Sequence, residues 1–141
     1  MKKLNCILLV DDDDDCNFFH MRLFNKMGIT ERTEVTVDGK EAIDFLKSVE
    51  NGSHPQPAII FLDINMPVMD GWEFLEAYGK LNEGQKAQIV LIMLTTSLNP
   101  DDKERALNNP YINDFHNKYL SKEDINKILR RHFPELADLG N

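Results

Sequence analysis

Three aspartates, a threonine and a lysine stand where they could do chemistry together, because the acids and the threonine each follow an apolar run and the lysine a brief strand signal. Ile7-Leu8-Leu9-Val10 ends on Asp11-Asp12, and Ala58-Ile59-Ile60-Phe61-Leu62 ends on Asp63. Ile89-Val90-Leu91-Ile92-Met93-Leu94 ends on Thr95-Thr96-Ser97, and Lys118 follows a shorter signal around Phe115. Carboxylates gathered at one point repel: two unit charges ~4 Å apart cost about 4 kcal/mol at an effective dielectric of 20. Such a group needs a counter-ion or must take up protons. A hard divalent cation meets that need. Mg²⁺, with Mn²⁺ as the alternative, favours a few carboxylates, a carbonyl and several waters, which leaves room for phosphate oxygens. The chemistry indicated is phosphoryl transfer, with Asp63, alone at its strand end, as the nucleophile of an aspartyl phosphate. Lys118 and Thr95 would supply the positioning and charge neutralisation that such transfer needs.

The elements that must position these residues are legible in the pattern. Apolar runs of four to six residues bounded by polar turns read as strands buried on both faces. If the strands are parallel, their polar ends share one sheet edge, where open α/β folds bind ligands. Asp14 or Asp15 is expected to cap a helix that runs to about Met27 and stops at Gly28, with Phe19, Leu23 and Met27 on its apolar face. Thr33 to Val37 reads as a second strand. Gly39 to Glu50 reads as a helix with a stripe of Ala42, Phe45, Leu46 and Val49. Helices follow from Gly71 to about Leu81, from Pro100 or Asp101 to Asn109-Pro110, and from Ser121, whose stripe is Ile125, Ile128, Leu129 and Phe133. Right-handed crossovers between five such βα units favour an α/β, three-layer, doubly wound fold with a parallel five-stranded sheet; the expected strand order is 2-1-3-4-5, flavodoxin-like. One domain over residues 1–141 is expected, with its core at about 4–134 and no output domain.

Composition narrows the function. A net charge of −8 disfavours nonspecific nucleic-acid binding. No apolar stretch is long enough to span a bilayer, and the basic start lacks a cleavable signal, so a cytoplasmic location is expected. Cys6 and Cys16 fall at opposite ends of the first strand, too far apart to bridge. His20, His54, His116 and His132 show no metal-ligand spacing. Asp13, Asp14 and Asp15 read as a solvated loop containing one helix cap, and Trp72 as a packed residue and fluorescence reporter.

At Ile7-Leu8-Leu9-Val10-Asp11-Asp12, Phe61-Leu62-Asp63-Ile64-Asn65-Met66-Pro67-Val68-Met69-Asp70-Gly71, Leu94-Thr95-Thr96-Ser97 and Lys118, the chain resembles the response-regulator receiver domain of two-component signalling. The resemblance implies that Asp63 accepts the phosphoryl group. Asp12 and Asp63 would ligate Mg²⁺ by side chains, Asn65 by its backbone carbonyl, and Asp11 mainly through metal-bound water. Thr95 and the Thr96 amide would bind one phosphoryl oxygen and Lys118 another, and Phe115 matches the family's switch aromatic. Asn65 and Ser97 stand where the family tunes phosphoryl lifetime. The implied partners are a histidine kinase or histidine phosphotransfer protein and a downstream protein not identifiable from the sequence. The implied state is a monomer or a weak homodimer through the fourth helix, fifth strand and fifth helix.

Two departures stand out. Tyr119 replaces the family's proline after the lysine, so a trans bond is expected there, since a non-proline cis bond costs about 3 kcal/mol. Thr96 is larger than the family's usual residue and is expected to slow small phosphodonors. The competing functions are a phosphate-independent interaction module on the same fold and a dehalogenase-like phosphatase. The latter wants an acid where Asn65 stands. A flavodoxin-like cofactor site is disfavoured because the aspartates after the first strand would repel phosphate.

Overall fold

The computed structural model describes residues 3–87 and 90–136. Ile89, at the head of the third apolar run, and the end of the tail fall outside them. The elements alternate as β1 (Ile7–Val10), α1 (Asp14–Met27), β2 (Thr33–Thr36), α2 (Gly39–Lys47), β3 (Ile59–Leu62), α3 (Gly71–Gly79), β4 (Val90–Thr95), α4 (Pro100–Leu107), β5 (Asp114–Asn117) and α5 (Lys122–His132). All neighbouring strands pair in parallel, in the order β2-β1-β3-β4-β5.

The central strands are greasy because both faces are covered. Ile7, Leu9, Ile59, Phe61, Ile92 and Leu94 turn to one side, where α1 and α5 supply Phe24, Ile125, Ile128 and Leu129. Leu8, Val10, Ile60, Leu62, Leu91 and Met93 turn to the other, against Ala42, Leu46, Phe74 and Ala106 of α2, α3 and α4. Each such side chain contributes about 1.5–3 kcal/mol when fully buried. The parallel pairing sends all five strand ends to the same edge.

Several local expectations shift. Asp13 caps α1, its Oδ1 accepting the Asp15 and Cys16 amides, in place of Asp14 or Asp15. Phe19 is exposed and Leu23 only partly buried; the inner face of α1 carries Cys16, Asn17, His20, Phe24 and Met27. Helix α2 stops at Lys47, where Ser48 turns extended, so Val49 lies outside it and is exposed, and Ile43 takes its place in the core. The Lys118–Tyr119 peptide is cis, not trans as expected for a non-proline residue. Contacts on both sides hold that segment: the Lys118 amide donates to the Thr95 carbonyl, and the Leu120 amide donates to His20 Nε2 at 3.0 Å.

The β3–α3 loop is held tightly against the strand ends. The Gly71 amide donates to the Ile64 carbonyl, and a Cβ at position 71 would collide with the Asp63 carbonyl, so the approach requires glycine. Within the same loop Val68 has φ of 66° with its side chain 75% exposed. A β-branched residue in the left-handed region costs roughly 1–2 kcal/mol. Little packing opposes relief of that strain. Val68→Asn should therefore raise unfolding stability by about 1 kcal/mol in a urea titration; unchanged or lower stability would show that the valine packs usefully.

Candidate functional site

Asp11, Asp63 and Lys118 meet, and Thr95 joins them through its backbone, because β1, β3, β4 and β5 end side by side. Asp63 continues β3, its amide donating to the Val10 carbonyl and its Oδ1 accepting the Ile64 amide at 2.9 Å. Asp11 continues β1, its Oδ1 accepting the Asp13 amide at 3.0 Å. Lys118 Nζ stands 2.7 Å from Asp11 Oδ2 and 3.4 Å from Asp63 Oδ2, with all three side chains nearly buried. Asp12 is exposed at the mouth, and Asp11, Asp12 and Asp63 can each offer an oxygen within 4.8 Å of the others. The separate segments thus converge into one acidic pocket with a lysine inside it.

Burial pushes the Asp63 carboxyl up to about 6; the Asp11 charge pushes the same way, while Lys118 and the Ile64 amide pull it back. Burial alone would lower the Lys118 ammonium, but its hydrogen bond to Asp11 and the charges of Asp11 and Asp63 outweigh that and leave it raised. At neutral pH the pocket therefore holds an ionised Asp63 and a firmly charged Lys118.

The hydroxyl corner is equally constrained. Thr95 is buried, and its Oγ1 accepts the Ser97 amide at 3.1 Å. Ser97 Oγ donates to Asp102 Oδ2 and accepts the Asn99 amide. Asn65 and Thr96 are exposed at the pocket's rim loops. Phe115 is partly buried against the α2–α3–α4 core, in register with Met93. Trp72 is partly buried beneath the Arg105 guanidinium, 4.1 Å from its ring centroid. Cys6 and Cys16 are free and buried, and burial pushes their thiols up to about 11 and about 12.

Sequence reasoning passed over three polar residues that build the site's frame. Asn17 Nδ2 donates to the Asp11 carbonyl at 2.8 Å. Asn117 Nδ2 donates to the Thr95 and Ser97 carbonyls at 3.2 and 3.0 Å. His20 accepts the Leu120 amide. Only the position of Asn117 beside Lys118 hinted at any of them.

A doubly wound sheet with an acidic pocket at its carboxyl edge defines a flavodoxin-like domain of the receiver type. The model of the response regulator receiver domain matches residues 7–130, so the chain belongs to that family of two-component signalling. It is 39% identical over 123 residues to a probable methanogenesis regulatory protein, FilR2, from Methanothrix harundinacea, a match that covers 87% of this chain and 77% of that protein. A two-component response regulator from Cytophaga hutchinsonii superposes with a TM-score of 0.80 at 26% identity, over 92% of this chain and 97% of the other. The receiver domain of the sensor histidine kinase PA1611 from Pseudomonas aeruginosa superposes with a TM-score of 0.71 at 23% identity, over 90% and 95% of the two chains; that domain was crystallised with magnesium coordinated in its active-site cleft. Among the described residues, no helix is long and apolar enough to cross a membrane.

The raised Asp63 carboxyl has a consequence for stability. A folded-state value of about 6 against 3.8 means that the fold binds this proton more tightly than the unfolded chain does. The stabilisation is complete below 3.8 and is lost as pH rises to about 6, so at neutral pH the ionised Asp63 destabilises the fold. Asp63→Asn should raise metal-free stability at pH 8 by about 1–2 kcal/mol after solvent screening. The gap from wild type should close as pH falls to 4; a gap that persists unchanged would place its origin elsewhere.

Proposed function

We propose that the chain is a phosphorylation-dependent signalling switch. It accepts a phosphoryl group on Asp63 from a phosphohistidine of a histidine kinase or histidine phosphotransfer protein, and signals by contact with another protein. The supporting observation is Lys118 Nζ bridging Asp11 and Asp63 in a pocket where Asp12 adds a third carboxylate. In the transfer, an Asp63 carboxylate oxygen attacks phosphorus, the P–N bond breaks, and the donor imidazole leaves with the electron pair. Lys118 moves onto one phosphoryl oxygen, while the Thr95 hydroxyl and the Thr96 amide take another.

The donor set suits a divalent cation, because the pocket is lined by oxygens and holds more carboxylates than its one lysine can neutralise. Asp12, Asp63 and the Asn65 carbonyl would hold Mg²⁺, with Asp11 bound through water. When present, the ion offsets charge on the transferring oxygens. The phosphoryl group adds about two negative charges beside the β4–α4 loop. Thr95 is drawn towards it, Phe115 shifts with the space so created, and the surface of α4, β5 and α5 changes. Asn65 and Ser97 set the lifetime of the acyl phosphate; Ser97 acts through its hold on Asp102 and hence on the start of α4. No external substrate is turned over as the main task.

Intact-mass analysis after acetyl phosphate treatment tests this reading. Wild type should gain one phosphoryl group only when Mg²⁺ is present, and Asp63→Asn should gain none. Equal labelling of Asp63→Asn would refute the assignment. Thr96 is exposed beside Thr95, and on this reading its methyl narrows the donor's approach. Thr96→Ala should speed labelling by acetyl phosphate by about threefold or more, a barrier change of roughly 0.7 kcal/mol; an unchanged rate would remove that steric role.

A further inference from the structure

His20 lies on the inner face of α1 and is only 1% exposed. The rings of Phe19, Phe24 and Tyr119 surround its imidazole at centroid distances of 5.4, 6.1 and 5.6 Å. Its Nε2 accepts the amide of Leu120, which is 100 residues away in sequence and two residues past Lys118. Burial pushes His20 down to about 4, so the ring is neutral. A neutral ring that accepts at Nε2 carries its proton on Nδ1, which faces Cys16 Sγ at 3.5 Å. The Cys16 thiol is itself protonated at neutral pH. One tautomer thus ties α1 to the segment that carries the lysine.

The same helix holds the other half of the buried ion pair. One turn earlier, Asn17 donates to the Asp11 carbonyl at 2.8 Å. Asp11 and Lys118 meet at 2.7 Å, and each is anchored near its backbone by a side chain from the inner face of α1. Tyr119 is 45% exposed, and the packed side of its ring lies against Phe19 and His20.

We infer that His20 is a positioning residue: by fixing the Leu120 amide it sets where the Lys118 ammonium sits over Asp11 and Asp63. This rests on the phosphotransfer reading for its kinetic consequence, though not for its geometry. A displacement of ~1 Å at a catalytic group can cost up to about a hundredfold in rate. His20→Met removes the acceptor and keeps an apolar filling. In His20→Gln, the side-chain carbonyl falls near the Nε2 position and can still accept the amide.

The test compares wild type, His20→Met and His20→Gln well below their unfolding midpoints, by acetyl phosphate labelling rate and by the side-chain NMR signal of ¹⁵N-labelled Lys118. His20→Met should label at least about tenfold more slowly and shift the Lys118 ammonium signal. His20→Gln should restore the rate to within a few fold and return the signal towards wild type. The inference is overturned if Met and Gln variants behave alike, or if rates follow only the loss of thermal stability. Failure of wild type to take phosphate would defeat the functional reading instead, and the Lys118 signal would then decide the positioning role by itself.

Discussion

Electrostatic repulsion among Asp11, Asp12 and Asp63 is the constraint that the rest of the molecule accommodates. Two of these acids are almost buried, and a single lysine reaches between them. A buried ion pair is weak evidence of stabilisation, because desolvating both partners offsets most of their attraction. The upward push on Asp63 shows the imbalance directly: burial and Asp11 together outweigh Lys118. The two hydrophobic cores on either side of the sheet must therefore offset a local destabilisation at its edge. That arrangement suits a site that takes up a cation, for which unneutralised negative charge is a driving force.

Holding such charges together demands a stiff frame, and the frame is local. Gly71 lies against the Asp63 carbonyl, and its amide is fixed on the Ile64 carbonyl. The Gly39 amide binds the Met69 carbonyl, so the first residue of α2 braces the loop that follows Asp63. Asp70 caps α3 through a reciprocal pair with Glu73. Strain is accepted in the same loop, at Val68, where the side chain faces solvent. These features tie the Asp63 backbone to two helices and leave little freedom in where its carboxylate points.

The central strands and the acidic pocket were legible in the sequence for one reason. Strands covered on both faces must be continuously apolar, so β1, β3 and β4 announce themselves and their polar ends mark the edge. Strand β2 (Thr33–Thr36) and strand β5 (Asp114–Asn117) are edge strands with mixed composition, and their signal is correspondingly weak. The inner face of α1 keeps Met27 of the expected stripe, but Phe19 faces outward, while Asn17 and His20 look like surface residues and face inward. Their polarity is spent on the Asp11 carbonyl and the Leu120 amide, partners that exist only once the chain has folded. The cis bond at Lys118–Tyr119 had no proline to advertise it.

The hydroxyl and the lysine share one backbone atom. The Thr95 carbonyl accepts both the Lys118 amide at 2.9 Å and the Asn117 side chain at 3.2 Å, and Asn117 also reaches the Ser97 carbonyl. A phosphoryl group that drew Thr95 towards Asp63 would therefore pull on β5 directly, and Ser97 would carry the same displacement to Asp102 in the first turn of α4. Phe115, two residues before Asn117 and only partly buried, lies within that mechanically linked segment. The coupling needs no long path through the core. It would follow from placing Thr95, Lys118 and the start of α4 on a single hydrogen-bonded knot, so that a change in charge at one strand end would be felt first at the exposed edge of the sheet.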